Sequence, residues 1–390
     1  MRLNCIDILR ALTMFTMIWV NDFWTLDGVP KWLQHAKANE DYLGFSDIIF
    51  PLFLFIVGLS IPFAIKNRLD MGYNRWEISK HITIRSLSLL LIGVFMVNYE
   101  TAYDSGIIIG KYFWCILMVV AVFLIWINWK KSTLPKKWHM PLRIFGFLLL
   151  LFLAGIYKGG ESGEYWLRPQ WWGILGLIGW AYLVNALVFL HLRGNLAFIF
   201  AIWFLFNMLS VLNQTEMGFE FNGVLKYFST ILQGTVPAFT TSGMIASLIF
   251  IKWSSSHLRR AYLVLTILGV ICIIFALVTR PLWGISKLGG TPSWLAICSG
   301  MGFLLFTISH YITDKKKMVN WAKFIAPAGT ATLTCYMLPY IIYPVRNLTS
   351  FRFPNVLNSG VIGLYGSLIF AYLVVVLTGW LVKKGFKLKL

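Results

Sequence analysis

A chain of 390 residues that is 58% hydrophobic, only 13% charged and of mean hydropathy +0.72 is too apolar for a soluble globular domain, whose charged fraction is about a quarter. Its formal net charge of +19 does not mark a nucleic-acid binder, because the basic residues sit in short clusters between apolar runs. The composition points instead to an all-α integral membrane protein, one transmembrane domain over residues 1–390 with no soluble domain, its 18 Trp suited to interfacial belts.

A spanning helix needs about 20 mostly apolar residues. That rule predicts twelve, near 6–24, 45–66, 82–98, 112–129, 141–157, 171–190, 195–212, 229–251, 260–279, 291–311, 321–345 and 361–382. The third, fourth, fifth and seventh are short. With the N-terminus inside, 23 Lys and Arg, starting with Arg2 and Arg10, fall in inside segments and 10 in outside loops, so both termini are expected to be cytoplasmic. Residues 1–24 have a basic start and an apolar core, but Asn21, Asp22 and Trp24 stand where a small-residue cleavage site would be, so the first segment is expected to stay as a helix. Cys5, Cys115, Cys272, Cys298 and Cys335 are isolated and lack C-x-x-C spacing, which indicates neither a disulfide framework nor a metal site. Asn213 and Asn347 begin N-x-T tripeptides in outside loops. No internal repeat of the transporter kind is visible.

The first two helices enclose a polar loop, about 25–45, that holds His35. In this orientation His81, His139, His191, His257 and His310 fall inside or at inside helix ends, so any outside imidazole chemistry rests on His35. Asn21 closes the helix before the loop, and Asp47 opens the helix after it.

Asp7 and Arg10 opening the first helix, Asn21 at its end, His35-Ala36 in the loop, Asp47, and the run Phe50-Pro51-Leu52-Phe53-Leu54-Phe55-Ile56-Val57-Gly58-Leu59-Ser60-Ile61 together resemble the heparan-α-glucosaminide N-acetyltransferase family. The likeness is dense over the first 65 residues or so and later thins to Arg168 with Gly173-Ile174-Leu175, Thr291 with Ser293, and Gly329 with Tyr336. It implies a ten-helix core, to which 112–157 is an added hairpin, and a reaction carrying acetyl from cytoplasmic acetyl-CoA to an amino sugar or other glycan acceptor across the membrane. Gly176-Leu177 and Gly290 depart from the family pattern, which weakens inference about CoA or sugar contacts but leaves Asn21, His35 and Asp47 untouched.

These residue types suit that chemistry. An amine attacks a thioester only when unprotonated, and imidazole, with an ordinary pKa of about 6.5, is a base for neutral pH. His35 is the expected catalytic group, either as general base or as an acyl-imidazole carrier. Asp47 either orients His35 or caps its own helix. Asn21 is either a donor to the thioester oxygen or a helix cap, and Asp22 beside it is a rival carboxylate. Arg10 either pairs with Asp7 or joins Lys80 and Arg85 in binding CoA phosphates. Trp24, Trp32 and Tyr42 suit sugar stacking or interfacial anchoring.

Two other readings stay open: an O-acyltransferase of surface polysaccharide, and a twelve-helix secondary transporter. The expected partners are the lipid bilayer, acetyl-CoA and the acceptor, with room for a homodimer, and the expected address is a bacterial inner membrane.

Overall fold

The computed structural model describes residues 3–132, 134–215, 221–254 and 256–390. Arg2, counted above with the inside cluster, lies outside them. The described chain is all-α, with only isolated β-bridges beside its helices. In order these are α1 (Asn4–Asn21), α2 (Ser46–Asp70), α3 (Arg75–Glu100), α4 (Lys111–Trp126), α5 (His139–Gly155), α6 (Ile174–His191), α7 (Leu196–Leu212), α8 (Ser229–Leu232), α9 (Thr235–Trp253), α10 (Leu258–Trp283), α11 (Pro292–His310), α12 (Ala326–Thr330), α13 (Thr332–Met337), α14 (Pro339–Leu348) and α15 (Gly360–Lys383).

Among the described residues, eight helical stretches are long and apolar enough to cross a membrane, which makes this an integral multi-pass membrane protein. The other four predicted spans differ from these for visible reasons. Helices α4 and α7 are apolar but short. Helix α1 has 18 residues and carries Asp7, Arg10 and an Asn at each end. The predicted helix over 321–345 is interrupted, giving α12, α13 and α14 with a break at Ala331 (φ −132°, ψ 47°). Pro339 lacks the N–H that would continue the ladder from α13 into α14, whereas Pro327 and Pro344 lie within α12 and α14.

Helix α3 shows the opposite error. The prediction of 82–98 stops where the sequence turns polar, yet the helix begins at Arg75. Asn74 accepts from the Glu77 N–H at 2.9 Å while Glu77 accepts from the Asn74 N–H at 2.9 Å, a reciprocal cap that starts the helix before its apolar part.

The chain forms two compact units. The first comprises the described parts of Met1–Thr13, Pro30–Leu87 and Leu177–Lys323. Its centre is the close crossing of α2 and α9, whose apolar stretches are 67% and 83% buried. Thr240 Oγ1 donates to the Leu54 carbonyl at 3.2 Å and Ser247 Oγ to the Leu59 carbonyl at 2.7 Å. A Cβ at Gly58 would collide with the Thr240 carbonyl oxygen, and one at Gly243 with the Phe55 carbonyl oxygen. Without side chains at these positions the two backbones approach directly, as small residues allow in a membrane. Asp314, in the π-helical turn Tyr311–Lys315 after α11, accepts from the N–H groups of Asn4 (2.9 Å) and Cys5 (2.8 Å) and so places a carboxylate at the positive end of α1.

The second unit comprises Met14–Val29, Ser88–Gly176 and Phe324–Leu390. Its α4–α5 hairpin is joined by Trp114, whose Nε1–H donates to the Leu153 carbonyl at 2.9 Å. The stretch containing α5 is only 17% buried and exposes Phe145, Phe147, Leu148, Leu151 and Phe152, an apolar surface suited to lipid.

Gly58→Ala and Gly243→Ala are expected to destabilise the protein by about 1–3 kcal/mol or more, because the added methyl meets backbone that cannot turn aside. Gly155→Ala, where a Cβ meets open space, is the neutral control. Thermal unfolding followed by size-exclusion fluorescence separates the three.

Candidate active site

The loop before α2 folds back onto the first turn of that helix. Phe45 N–H donates to the Trp32 carbonyl at 2.8 Å and Ser46 Oγ to the Leu33 carbonyl at 2.5 Å, which returns residues 33–36 to the helix start. Asp47 then meets the loop rather than its own helix. Its Oδ2 accepts from the Ala36 N–H at 2.9 Å and the Gly44 N–H at 3.2 Å, and its Oδ1 lies 2.6 Å from His35 Nδ1. A carboxylate only accepts, so Nδ1 carries a proton, and in the neutral ring Nε2 is the nitrogen with the free lone pair. The Asp47 side chain is 1% exposed and that of His35 46%, so the anchor is shielded from water while the ring is not. Trp294 Nε1–H completes the support by donating to the Asp47 carbonyl at 3.2 Å.

A residue that sequence reasoning treated only as an outside charge joins this pair. Lys287 Nζ lies 3.3 Å from His35 Nδ1. With Nδ1–H directed at Asp47, the ammonium lies alongside the pair. Burial pushes the Lys287 amine below its ordinary value, against the pull of the Asp47 carboxylate. The available signal was its position in a glycine-bounded turn, Gly284 to Gly290, four residues before Thr291.

That turn is built for a fixed position. Gly284 at φ +65° leaves α10 in a conformation that favours glycine, and Thr291 Oγ1 accepts from the Ser286 N–H at 3.1 Å while capping α11. Asp41 laces the turn to the His35 loop. It accepts from Arg280 Nε at 2.8 Å and from the Ile285 N–H at 2.6 Å, and the Tyr42 N–H donates to the Ile285 carbonyl at 3.1 Å. Burial alone would raise the Asp41 carboxyl, but the Arg280 and Ile285 bonds outweigh it and hold it below its ordinary value.

The other predicted residues are placed as follows. Asn21 is exposed at the end of α1 in the second unit, whereas His35 and Asp47 come together in the first. Asp22 is buried in the second unit, where its Oδ1 accepts from Tyr343 Oη at 2.6 Å, so this carboxylate is engaged in packing. Arg10 binds Asp7 Oδ1 at 3.1 Å and Ser60 Oγ at 2.8 Å. Arg85 lies over the Tyr182 ring at 5.0 Å, and Lys80 is exposed on α3. Trp32 is exposed, Tyr42 lies under Lys31 at 4.9 Å, and Trp24 packs edge-on against Tyr343 at 5.4 Å.

No family model matches the chain. Over 98 residues, 25% of its length, it is 35% identical to heparan-alpha-glucosaminide N-acetyltransferase of Mus musculus and 33% identical to the protein of that name from Homo sapiens. The match spans 14% of the length of these relatives. Both support the resemblance at the level of the family.

Two outcomes are expected from this geometry. Asp41→Ala removes charge-assisted bonds joining the two loops, so amide exchange over 33–45, read by mass spectrometry, should quicken about tenfold. Lys287 has a folded pKa below its unfolded value of 10.5, so in the window between them the unfolded chain binds more protons and stability rises with pH. The melting temperature should climb across that window, and Lys287→Met should flatten the climb.

Proposed function

We propose that this chain is a membrane acetyltransferase that takes acetyl from cytoplasmic acetyl-CoA and delivers it to an amino sugar or related glycan on the opposite side, with His35 as the catalytic base. The observation that carries the reading is the 2.6 Å approach of His35 Nδ1 to a buried Asp47. That contact fixes the tautomer and turns the basic Nε2 outward. An ammonium group on the acceptor must lose its proton before it attacks the thioester, and an oriented imidazole is the group for that task near neutral pH. Asp47 then balances the positive charge that the ring acquires, as the aspartate does in hydrolase triads. The similarity of a quarter of the chain to two N-acetyltransferases adds the reaction class.

In this reading α1, α4, α7 and the interrupted segment 326–348 also cross the bilayer, making twelve passes with both termini in the cytoplasm of a bacterial inner membrane. Asn21 is assigned, by resemblance alone, as donor to the thioester oxygen. Of the proposed CoA contacts, Lys80 and Arg85 are the better placed. Arg85 stacks by its face and keeps its edge N–H groups for phosphate, whereas Arg10 is held by Asp7 and Ser60.

Purified protein supplied with acetyl-CoA and a glucosaminide should form an amide-linked acetyl product. His35→Ala should lower kcat by about 100-fold or more, and Asp47→Asn by a similar order without a matching rise in KM. An active His35→Ala protein would sink the assignment. A base-labile ester would move it to the O-acyltransferase class, and acetyl trapped on His35 would show the imidazole to be the carrier.

A further inference from the structure

In the second unit an arginine outside the proposed chemistry is held with unusual completeness. Arg168 lies in the segment between α5 and α6. Asn98, fully buried in α3, clamps its main chain from both sides: Arg168 N–H donates to Asn98 Oδ1 at 3.3 Å, and Asn98 Nδ2 donates to the Arg168 carbonyl at 2.8 Å. The second Nδ2 proton goes to the Val94 carbonyl at 2.7 Å, and the buried Tyr157 donates its hydroxyl to the Asn98 carbonyl at 2.8 Å. Pro169 fixes the backbone one residue further on.

The side chain is placed with the same care. Its guanidinium carbon lies 3.7 Å from the centroid of the Tyr165 ring. Tyr165 is itself tied at both main-chain groups, to Gly159, by bonds of 2.9 and 3.2 Å. Stacking occupies the face of the guanidinium and leaves its in-plane N–H groups at the edge. Arg168 is exposed, and among the described residues no carboxylate lies within ion-pair distance of it. The nearest acid in sequence, Glu164, is turned to the N–H and hydroxyl of Ser162, at 3.0 and 3.1 Å. A second donor in the segment, Gln170 Nε2, is buried without a protein acceptor.

We propose that Arg168, braced on Tyr165, is an oxyanion-binding residue that takes a phosphate, sulfate or carboxylate group of a ligand through the edge of its guanidinium. A satisfied, fully buried asparagine that positions the backbone of one exposed arginine is the pattern of a preorganised contact, in which the ordering entropy is met during folding and not at binding. The site stands independently of the acetyltransferase reading. The anion has two sources: a water-borne group, or the headgroup of an acidic lipid.

The full-length protein in neutral detergent is titrated with inorganic phosphate and followed by ³¹P line broadening. In parallel, nanodiscs carrying spin-labelled phosphatidylglycerol or phosphatidylcholine report on lipid contact. A water-borne source predicts saturable broadening, weakened about tenfold or more by Arg168→Gln and less by Arg168→Lys, which keeps the charge but not the planar fork. A lipid source predicts no broadening, with an excess of immobilised phosphatidylglycerol over phosphatidylcholine that Arg168→Gln abolishes. Tyr165→Phe keeps the stacking ring and should bind as the parent does, which controls for folding of the segment. If parent and Arg168→Gln proteins are indistinguishable in both measurements, the proposal is overturned.

Discussion

A carboxylate removed from water at the start of a spanning helix is the constraint around which the first unit is arranged. A charge there is costly unless partners replace its hydration. Asp47 obtains two backbone N–H groups and a ring N–H, all from the loop that precedes it. The loop conformation and the hydrogen bonding of Asp47 are therefore one event: the chain folds back because the carboxylate needs donors, and the imidazole is oriented as a result. Lys287 then brings a positive charge from a distant part of the sequence to the same place.

That arrangement needs a rigid base, which α2 supplies through its crossing with α9. Backbone contact at Gly58 and Gly243, with hydroxyl bonds from Thr240 and Ser247, fixes the helix along its length and not merely at its ends. Asp47 at its head inherits that fixity. The second unit uses the same device in another form, with buried Asn98 and Tyr157 holding a loop residue in place.

Much of this was legible in the sequence, and the gaps have physical causes. Apolar runs locate helices well when the helix and its apolar part coincide, as for α7 and α15. They fail for α3, which continues beyond the apolar region on a reciprocal polar cap, and for 326–348, where the backbone break at Ala331 and the missing N–H of Pro339 interrupt a run of suitable composition. His35 and Asp47 were visible because they are near in sequence and flank a hairpin. Lys287 was not, since a lysine in an outside loop carries no mark of the residue it will face 252 positions away. Asp22, a rival to Asp47 on paper, instead accepts from Tyr343 Oη within the second unit.

The ties on the His35 loop are unevenly distributed. Residues 33–36 are bound to the head of α2, and Asp41 and Tyr42 to Arg280 and Ile285, while among the described residues the intervening tip is secured locally, by Lys31 and the Lys37 N–H on Glu40. Length can therefore vary at 37–40 without displacing the imidazole. Residues can be inserted or removed at that tip while His35 stays seated on Asp47, as exposed loop tips allow.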